Sequence, residues 1–432
     1  MGLQAHRIVI VGGGAGGLEL ATTLGKKSGK CGKAKIILVD GSLTHIWKPL
    51  LHEVAAGTIN SYEDELNYFA HGAKHHFEFQ LGRMDGLTRH DKSIRLAPLL
   101  DASGQEIAPA RALHYDTLVL AVGSTANDFG TAGAAENCVF LDSRAQADRF
   151  QSQLLNMYLQ AHAMHSGAGA DAALNIAIVG AGATGVELAA ELHHATHEFV
   201  KYGLDDIPPQ QVTISLVEAA SRILPVLPEG VSRTAQARLE KLGIKVYTGQ
   251  KVTEITAQGL KTAAGLEIPA SLKVWSAGIK APDFLGRLDG LESNRINQLV
   301  VTPTLQTTRD PAIFAFGDCA SCTLPGHSQP VPPRAQFAHQ QASFLVKALR
   351  ARLANKPLPA FHMRDFGSLI SLSSHTIGAL PGGVNIQGRL AWLMYLSLYR
   401  MHQVALHGLF KTTVLWCKDM LARTSGPSLK LH

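Results

Sequence analysis

The sequence predicts an α/β fold in two nested units, and three observations support it. Two glycine-rich hexads occur, Gly12-Gly13-Gly14-Ala15-Gly16-Gly17 and Gly180-Ala181-Gly182-Ala183-Thr184-Gly185. Each follows a β-branched run, Ile8-Val9-Ile10-Val11 or Ile176-Ala177-Ile178-Val179, and each opens a stretch with helical apolar spacing. Far beyond the second hexad, another apolar run, Ile313-Phe314-Ala315-Phe316, stops at Gly317-Asp318. Glycines at such spacing allow a tight strand-to-helix turn and let backbone approach a pyrophosphate, whose charge a helix N-terminus stabilises. Two hexads therefore imply two bound dinucleotides in two Rossmann-type domains, the first interrupted by the second and resuming near Val301.

Taken in order, the first hexad opens a helix expected over residues 16–26, and a strand over 35–39 ends at Asp40. An acidic residue at that point accepts hydrogen bonds from an adenosine ribose. A further strand, 115–122, runs into Gly123-Ser124-Thr125 and returns the chain beside the first sheet. A helix from Ser143 and a small-residue linker, Ser166-Gly167-Ala168-Gly169-Ala170, separate the two hexads. The second unit continues through a helix over 184–200 and a strand over 212–217 that ends at Glu218. A strand over 273–276 then leaves through Ala277-Gly278-Ile279, where a glycine brings backbone near a ligand.

Composition narrows the class. A chain of 432 residues with 41 glycines and few aromatics suits two or three α/β domains. The net charge of +6 and pI near 9 are a mild excess that favours anionic cofactors or an anionic lipid surface. Without a basic helix interleaved with aromatics, no nucleic-acid partner is expected. Five scattered cysteines argue against a disulfide framework, and the first strand begins too early to leave room for a secretion signal, so an intracellular protein is expected.

Residues 391–421 differ in character. Trp392, Leu393, Tyr395, Leu396, Leu398, Tyr399, Val404, Leu406, Leu409, Phe410, Val414, Leu415 and Trp416 recur on a helical period, broken by Arg400, His402, Gln403, His407 and Lys411. The interruptions exclude a membrane span. An amphipathic helix pair lying in a membrane interface fits the pattern, as does a helix that packs on another domain or a second copy.

Chemistry follows from the acidic residues. At the second hexad Glu218 can accept both ribose hydroxyls of NAD and repel a 2′-phosphate, which favours NADH, although Arg222 four residues on could receive that phosphate. Asp40 with the distant Gly317-Asp318 fits FAD, a group that accepts a hydride and releases electrons singly or in pairs. The stretch Trp47-Lys48-Pro49-Leu50-Leu51-His52-Glu53-Val54 has no cysteine, so a disulfide relay is absent there. Cys319-Ala320-Ser321-Cys322 is a lone CxxC, open to redox or metal chemistry or to a buried thiol pair, and no metal site is assigned.

Across nearly its whole length the chain resembles the bacterial type II NADH:quinone oxidoreductases, single-subunit, non-pumping respiratory NADH dehydrogenases. The resemblance is carried by residues 8–19, by Trp47-Lys48-Pro49-Leu50-Leu51-His52-Glu53-Val54-Ala55, by Thr184-Gly185-Val186-Glu187-Leu188, by Ala335-Gln336-Phe337-Ala338-His339-Gln340, and by the tail from Leu398 through Leu431. It implies a two-dinucleotide-binding flavoprotein fold: an FAD-binding domain in residues 1–165 and 301–360, an NADH-binding domain in 171–300, and a C-terminal amphipathic membrane-associated region in 361–432.

It further implies noncovalent FAD, NADH as donor, and a membrane quinone, ubiquinone or menaquinone, as acceptor. Attachment would be peripheral, to the cytoplasmic face of the inner membrane, and a homodimer is compatible with the resemblance. Gln336 and Gln340, four apart on one helix face, would donate to quinone carbonyls. Glu187, placed in the first helical turn, would sit between nicotinamide and flavin and link proton uptake to quinone reduction, or simply stabilise the helix start. Lys48 would contact flavin, and Lys411 would face the quinone or lipid headgroups. NADH would pass a hydride to flavin N5, and the quinone would then take two electrons and two protons. A soluble NADH:protein-acceptor reductase of the ferredoxin type is the alternative that would not need the tail, and a flavin-bound redox sensor is another.

Overall fold

A computed structural model describes residues 5–59, 65–164, 173–373, 375–422 and 429. In chain order its principal elements begin with strand β1 (His6–Val11), helix α1 (Ala15–Leu24), β2 (Ala34–Asp40), α2 (Leu51–Ala56), β3 (Glu78–Leu81), β4 (Thr117–Leu120) and β5 (Val139–Phe140). They continue with α3 (Arg144–Met164), β6 (Leu174–Val179), α4 (Ala183–Lys201), β7 (Val212–Val217), β8 (Lys245–Tyr247), β9 (Leu272–Trp275) and β10 (Ile313–Ala315). Helix α5 (Ala335–Leu353), the antiparallel strands β11 (Ser368–Leu372), β12 (His375–Leu380) and β13 (Val384–Gln387), and helices α6 (Arg389–His407) and α7 (Leu409–Ala422) come last. The linker expected at 166–170 and the end of the tail at Leu431 lie outside the described residues.

The first compact unit comprises Met1–Trp47, Asp64–Thr125 and Ile279–Asp365. Its sheet runs in the order β10-β4-β1-β2-β3, all parallel. Val9, Ile10, Leu38, Val39, Val119, Leu120, Ile313 and Phe314 are buried in it, the near-continuous apolar pattern of strands covered on both faces. β10 enters this sheet from beyond the second hexad, so the nesting is real. The turns after β1, β2, β4 and β10 all fall at the carboxyl edge, where open α/β sheets bind ligands. Behind that edge α1 packs on α5, and buried Glu19 holds His339 Nδ1 at 2.5 Å and accepts from Ser343 Oγ at 3.2 Å. The bond to Glu19 raises the His339 pKa against the opposing effect of burial.

The second unit comprises Lys48–Glu63, Ala126–Gly278 and Phe366–His432. Its parallel sheet runs β5-β9-β6-β7-β8. Here α2 packs against α3 and α4, and α6 lies along β11, β12 and β13. The compact units divide at 125–126 and 278–279, whereas the sequence pointed to divisions near 165 and 300. Two-residue β5 explains the first difference: it pairs with β9 and so draws the following helix α3 into the second unit.

Each hexad's last glycine is fixed by crowding. A Cβ on Gly17 would collide with the Gly12 carbonyl, and one on Gly185 with the Gly180 carbonyl and, at 2.7 Å, Ser276 Oγ. Gly182, by contrast, has nothing within 4 Å of its Cβ position. Gly185→Ala is therefore expected to cost about 1–3 kcal/mol of unfolding free energy, and Gly182→Ala less than about 1 kcal/mol; denaturant titration of both variants checks the contrast.

Candidate active site

In the first unit the hexad turn is tied to the end of β2. Asp40 Oδ2 accepts the Gly13 N–H at 2.7 Å, and Oδ1 accepts the Ser42 N–H at 2.8 Å. Burial raises the Asp40 pKa, and these two amides pull it back. Tyr68 donates to the Gly13 carbonyl at 2.7 Å, which fixes the turn from its other side. Gly14 caps α1 in extended backbone and faces open space, with Ala15 and Gly16 following in the first turn. An adjoining pair of exits completes the edge: Ser124 Oγ, next to Gly123, donates to Asp318 Oδ2 at 2.9 Å, and Gln341 Oε1 accepts the Gly317 N–H at 2.8 Å. An open helix N-terminus beside a fixed carboxylate suits a dinucleotide, with pyrophosphate over Gly14 and ribose at Asp40. Lys48 belongs to the other unit, where its Nζ lies 3.4 Å from Asp142 Oδ1.

Helix α5 carries Ala335, Gln336 and Gln340. Both glutamines share a face, as their spacing predicts, and both engage the segment after the helix. Gln336 Nε2 donates to Asp365 Oδ1 at 3.3 Å. Gln340 donates to the Arg364 carbonyl at 2.8 Å and accepts the Arg364 N–H at 2.9 Å, so its amide is closed at both ends. A carbonyl ligand reaches Gln340 through its second Nε2–H, or when that pair opens. Cys319 and Cys322 are buried, their thiols donate to the carbonyls of Phe316 and Thr302, and burial pushes both up to about 11. Both are therefore thiols rather than thiolates near neutrality, and among the described residues no His, Cys, Asp and Glu side chains are grouped to hold a metal.

The second unit repeats the first arrangement. Glu218 Oε2 accepts the Ala181 N–H and Oε1 the Ala220 N–H, each at 2.8 Å. The opening at Gly182, the exit at Gly278 after β9, and Ala183 and Thr184 at the start of α4 complete a second dinucleotide edge. Arg222 turns away from it: its guanidinium donates to the carbonyls of Leu224, Pro225 and Leu227 at 3.3, 2.6 and 2.9 Å. The cation that could have received a 2′-phosphate is therefore spent on its own loop, which the Leu224 N–H ties to the Ala181 carbonyl at 2.8 Å.

Glu187 departs from the sequence expectation. Helix α4 starts at Ala183, no acidic residue lies in its first turn, and Glu187 faces inward from the second. The helix field fades beyond the first turn, so stabilisation of the helix start is not what fixes this residue. Its Oε1 accepts the Ser371 N–H of β11 at 3.0 Å. Burial, with lesser repulsion from Glu53 and Glu191, pushes its pKa up to about 8. Glu191, one turn on, accepts from Thr58 Oγ1 at 3.4 Å and is pushed by burial up to about 7. Sequence reasoning missed Glu191, Glu53 and His52 as parts of this cluster. The i, i+4 spacing of Glu187 and Glu191 in an apolar helix was the available signal.

The helix pair α6–α7 is present as expected. Leu390, Leu393, Leu398 and Met401 on α6, and Leu409, Phe410, Val414 and Trp416 on α7, are exposed, with Lys411 exposed beside Phe410. No helix among the described residues is long and apolar enough to cross a membrane.

Two carboxylate-anchored dinucleotide edges define a pyridine-nucleotide flavoprotein, and residues 6–342 match the family model described as pyridine nucleotide-disulphide oxidoreductase. The type II NADH:quinone oxidoreductase of Haemophilus influenzae is 46% identical, with 98% of this chain and 99% of the relative covered. This chain belongs to the type II NADH:quinone oxidoreductase family. A Mycobacterium tuberculosis relative of the same description, Ndh, is 28% identical over 98% of this chain and 90% of its own. The fold is also similar to that of NDH2 from Plasmodium falciparum in complex with NADH, at a TM-score of 0.84 and 19% identity, covering 98% of this chain and 100% of the other.

Glu187 makes stability depend on pH with a definite sign. A carboxyl raised from 4.5 to about 8 on folding stays protonated in the native state while the unfolded chain ionises. Stability is therefore lost as pH rises from about 4.5 to about 8 and is level above that. Glu187→Gln is expected to remove this loss, gaining on the order of 1–3 kcal/mol at pH 8 relative to wild type and nothing near pH 4. Thermal unfolding of both proteins across that range measures it.

Proposed function

We propose that this chain oxidises NADH and reduces a membrane quinone to quinol through noncovalently bound FAD, without pumping protons. The observation that carries this reading is the presence, in one chain of this family, of two carboxylate-anchored dinucleotide edges and a helix pair with an exposed apolar face. FAD would lie on Gly12, Gly13, Gly14, Ala15, Gly16, Gly17, Asp40, Gly123, Gly317 and Asp318, with Lys48, Ala335 and Gln336 toward its ring. NADH would lie along Gly180, Gly182, Ala183, Thr184, Gly185, Glu218 and Gly278, with Glu187 nearest the reacting end. Bound FAD supplies the two-electron carrier between donor and acceptor.

What the chain's own residues add is orientation and one proton. The balance NADH + H⁺ + quinone → NAD⁺ + quinol takes up a single proton, and Glu187, protonated near neutrality by burial, would hold it at a carboxyl oxygen. Glu218 grips the ribose hydroxyls and excludes a 2′-phosphate, while the Arg222 guanidinium is directed into its own loop by three backbone carbonyls. Gln336, whose bond to Asp365 is long, exchanges it for a quinone carbonyl, and Gln340 follows if Arg364 releases it. Helices α6 and α7 attach peripherally to the cytoplasmic face of the inner membrane, their apolar side in the acyl boundary and Lys411 at anionic headgroups.

Steady-state oxidation of NADH with a short-chain quinone tests the reading, beside NADPH and beside a chain ending at residue 390. NADH is expected to be preferred by about 100-fold or more in kcat/KM, Glu187→Gln to lower kcat by about 100-fold, and truncation to abolish sedimentation with anionic vesicles. Full flavin reduction without quinone turnover would point instead to a protein acceptor.

A further inference from the structure

His52 lies between two carboxylates that the mechanism above uses unequally. Its Nδ1 is 3.9 Å from Glu187 Oε2, and its Nε2 is 3.7 Å from Glu53 Oε1. The side chains of His52, Glu187 and Glu53 are 2%, 11% and 18% exposed, so Glu53 is the member nearest water. Nδ1 bonds to the Pro49 backbone, which leaves Nε2 as the lone-pair nitrogen, and that nitrogen is buried with no hydrogen-bond partner. A buried acceptor left unpaired costs free energy, and the carboxyl oxygen 3.7 Å from it is Glu53 Oε1, which can pass on a proton once Glu53 has taken one from water. Tyr395 of α6 hydrogen-bonds Glu53 from above.

The geometry points to His52 as a proton relay that refills Glu187 from Glu53. This inference rests on the reading of Glu187 as the residue that holds the proton for quinone reduction. When Glu187 has lost its proton, the step is Glu53–COOH + His52 (Nδ1–H) + Glu187–COO⁻ → Glu53–COO⁻ + His52 (Nε2–H) + Glu187–COOH. The bond from Glu53 oxygen to hydrogen breaks as one forms at Nε2. The Nδ1–H leaves the Pro49 carbonyl, to which it donates at rest, and its bond to nitrogen breaks as one forms at Glu187 oxygen once the 3.9 Å gap closes; the imidazole is neutral before and after. Glu53 then takes a proton from water, and rotation or exchange restores the first tautomer. Both gaps exceed a hydrogen bond by less than an ångström, and catalytic bonds of this kind are commonly long before substrate closes the site.

The surrounding groups favour a neutral ring. Burial pushes the His52 pKa down to about 4, so the imidazole carries protons without holding a charge. The groups facing the relay are Glu187 and Glu191 from α4, Glu53 from α2, Tyr395 from α6 and the Ser371 amide from β11. Of the charged groups on neighbouring segments, Lys48 is paired with Asp142 and Arg144 with Asp148.

The test is hydrogen–deuterium exchange of the Glu187 carboxyl, followed by infrared spectroscopy on the FAD-loaded protein without NADH. The Glu187 signal is identified by its loss in Glu187→Gln. His52→Gln keeps a hydrogen-bonding side chain but cannot pass a proton through, and Glu53→Gln removes the donor. Exchange is expected to slow by about tenfold or more in each, with the carboxyl band unshifted and with added imidazole restoring the rate in His52→Gln. Exchange as fast as wild type in His52→Gln overturns the relay, and if that variant does not fold, Glu53→Gln decides by the same criterion. Quinone turnover is measured on the same samples. A wild type that exchanges through His52 but reduces no quinone overturns the proposed function alone, whereas normal turnover with unslowed exchange overturns the relay alone.

Discussion

A backbone amide donating to a carboxylate at the carboxyl edge of a parallel sheet is the interaction on which both units depend. Gly13 to Asp40 and Ala181 to Glu218 are the same bond made twice, at 2.7 and 2.8 Å. Each joins the glycine turn after the first strand to the end of the next strand, so the helix N-terminus and the acid are set relative to one another. Hydrogen bonds to charged groups contribute about 1.5–3 kcal/mol each. Their second oxygens are held by Ser42 and Ala220, which leaves only outward lone pairs for a ligand. The crowding at Gly17 and Gly185 follows from the same closeness of turn and helix.

What was legible in the sequence was what repeats locally. Hexads, the apolar strands before them and acids at the ends of the following strands lie within about 40 residues of one another, and their periods survive without tertiary context. The return of β10 to the first sheet was legible because Gly317-Asp318 has a strand before it. Less visible was anything decided by distant pairing. β5 is two residues long and carries no period, yet its pairing with β9 moves the unit boundary to 125–126. Gln340 looked available on its helix face until the backbone of Arg364 closed on it, and the pairing of Lys48 with Asp142, 94 residues away, was equally invisible. The exact start of α4 decided the role of Glu187: one turn separates dipole stabilisation from burial. His52 and Glu53 sit more than a hundred residues from Glu187, so no spacing rule joins them.

Helix α6 serves two environments at once. One side holds Ala391, His402, Gln403 and Leu406 buried and brings Tyr395 to the carboxyl cluster, while the other leaves Leu390, Leu393, Leu398 and Met401 exposed. The residue that reaches the buried acids and those that suit an acyl boundary thus belong to one helix, and it is packed on the small sheet that supplies the Ser371 amide.

Arg222 carries a consequence for how such an enzyme could diverge. An ancestor facing a cell rich in the phosphorylated dinucleotide could not gain it by losing the acid at 218 alone. The nearest guanidinium is already a strut inside its own loop, and withdrawing it would leave three carbonyls bare and loosen the hexad turn it indirectly braces. On the proposed reading coenzyme preference is guarded twice, by repulsion from Glu218 and by the structural cost of withdrawing Arg222 from its loop.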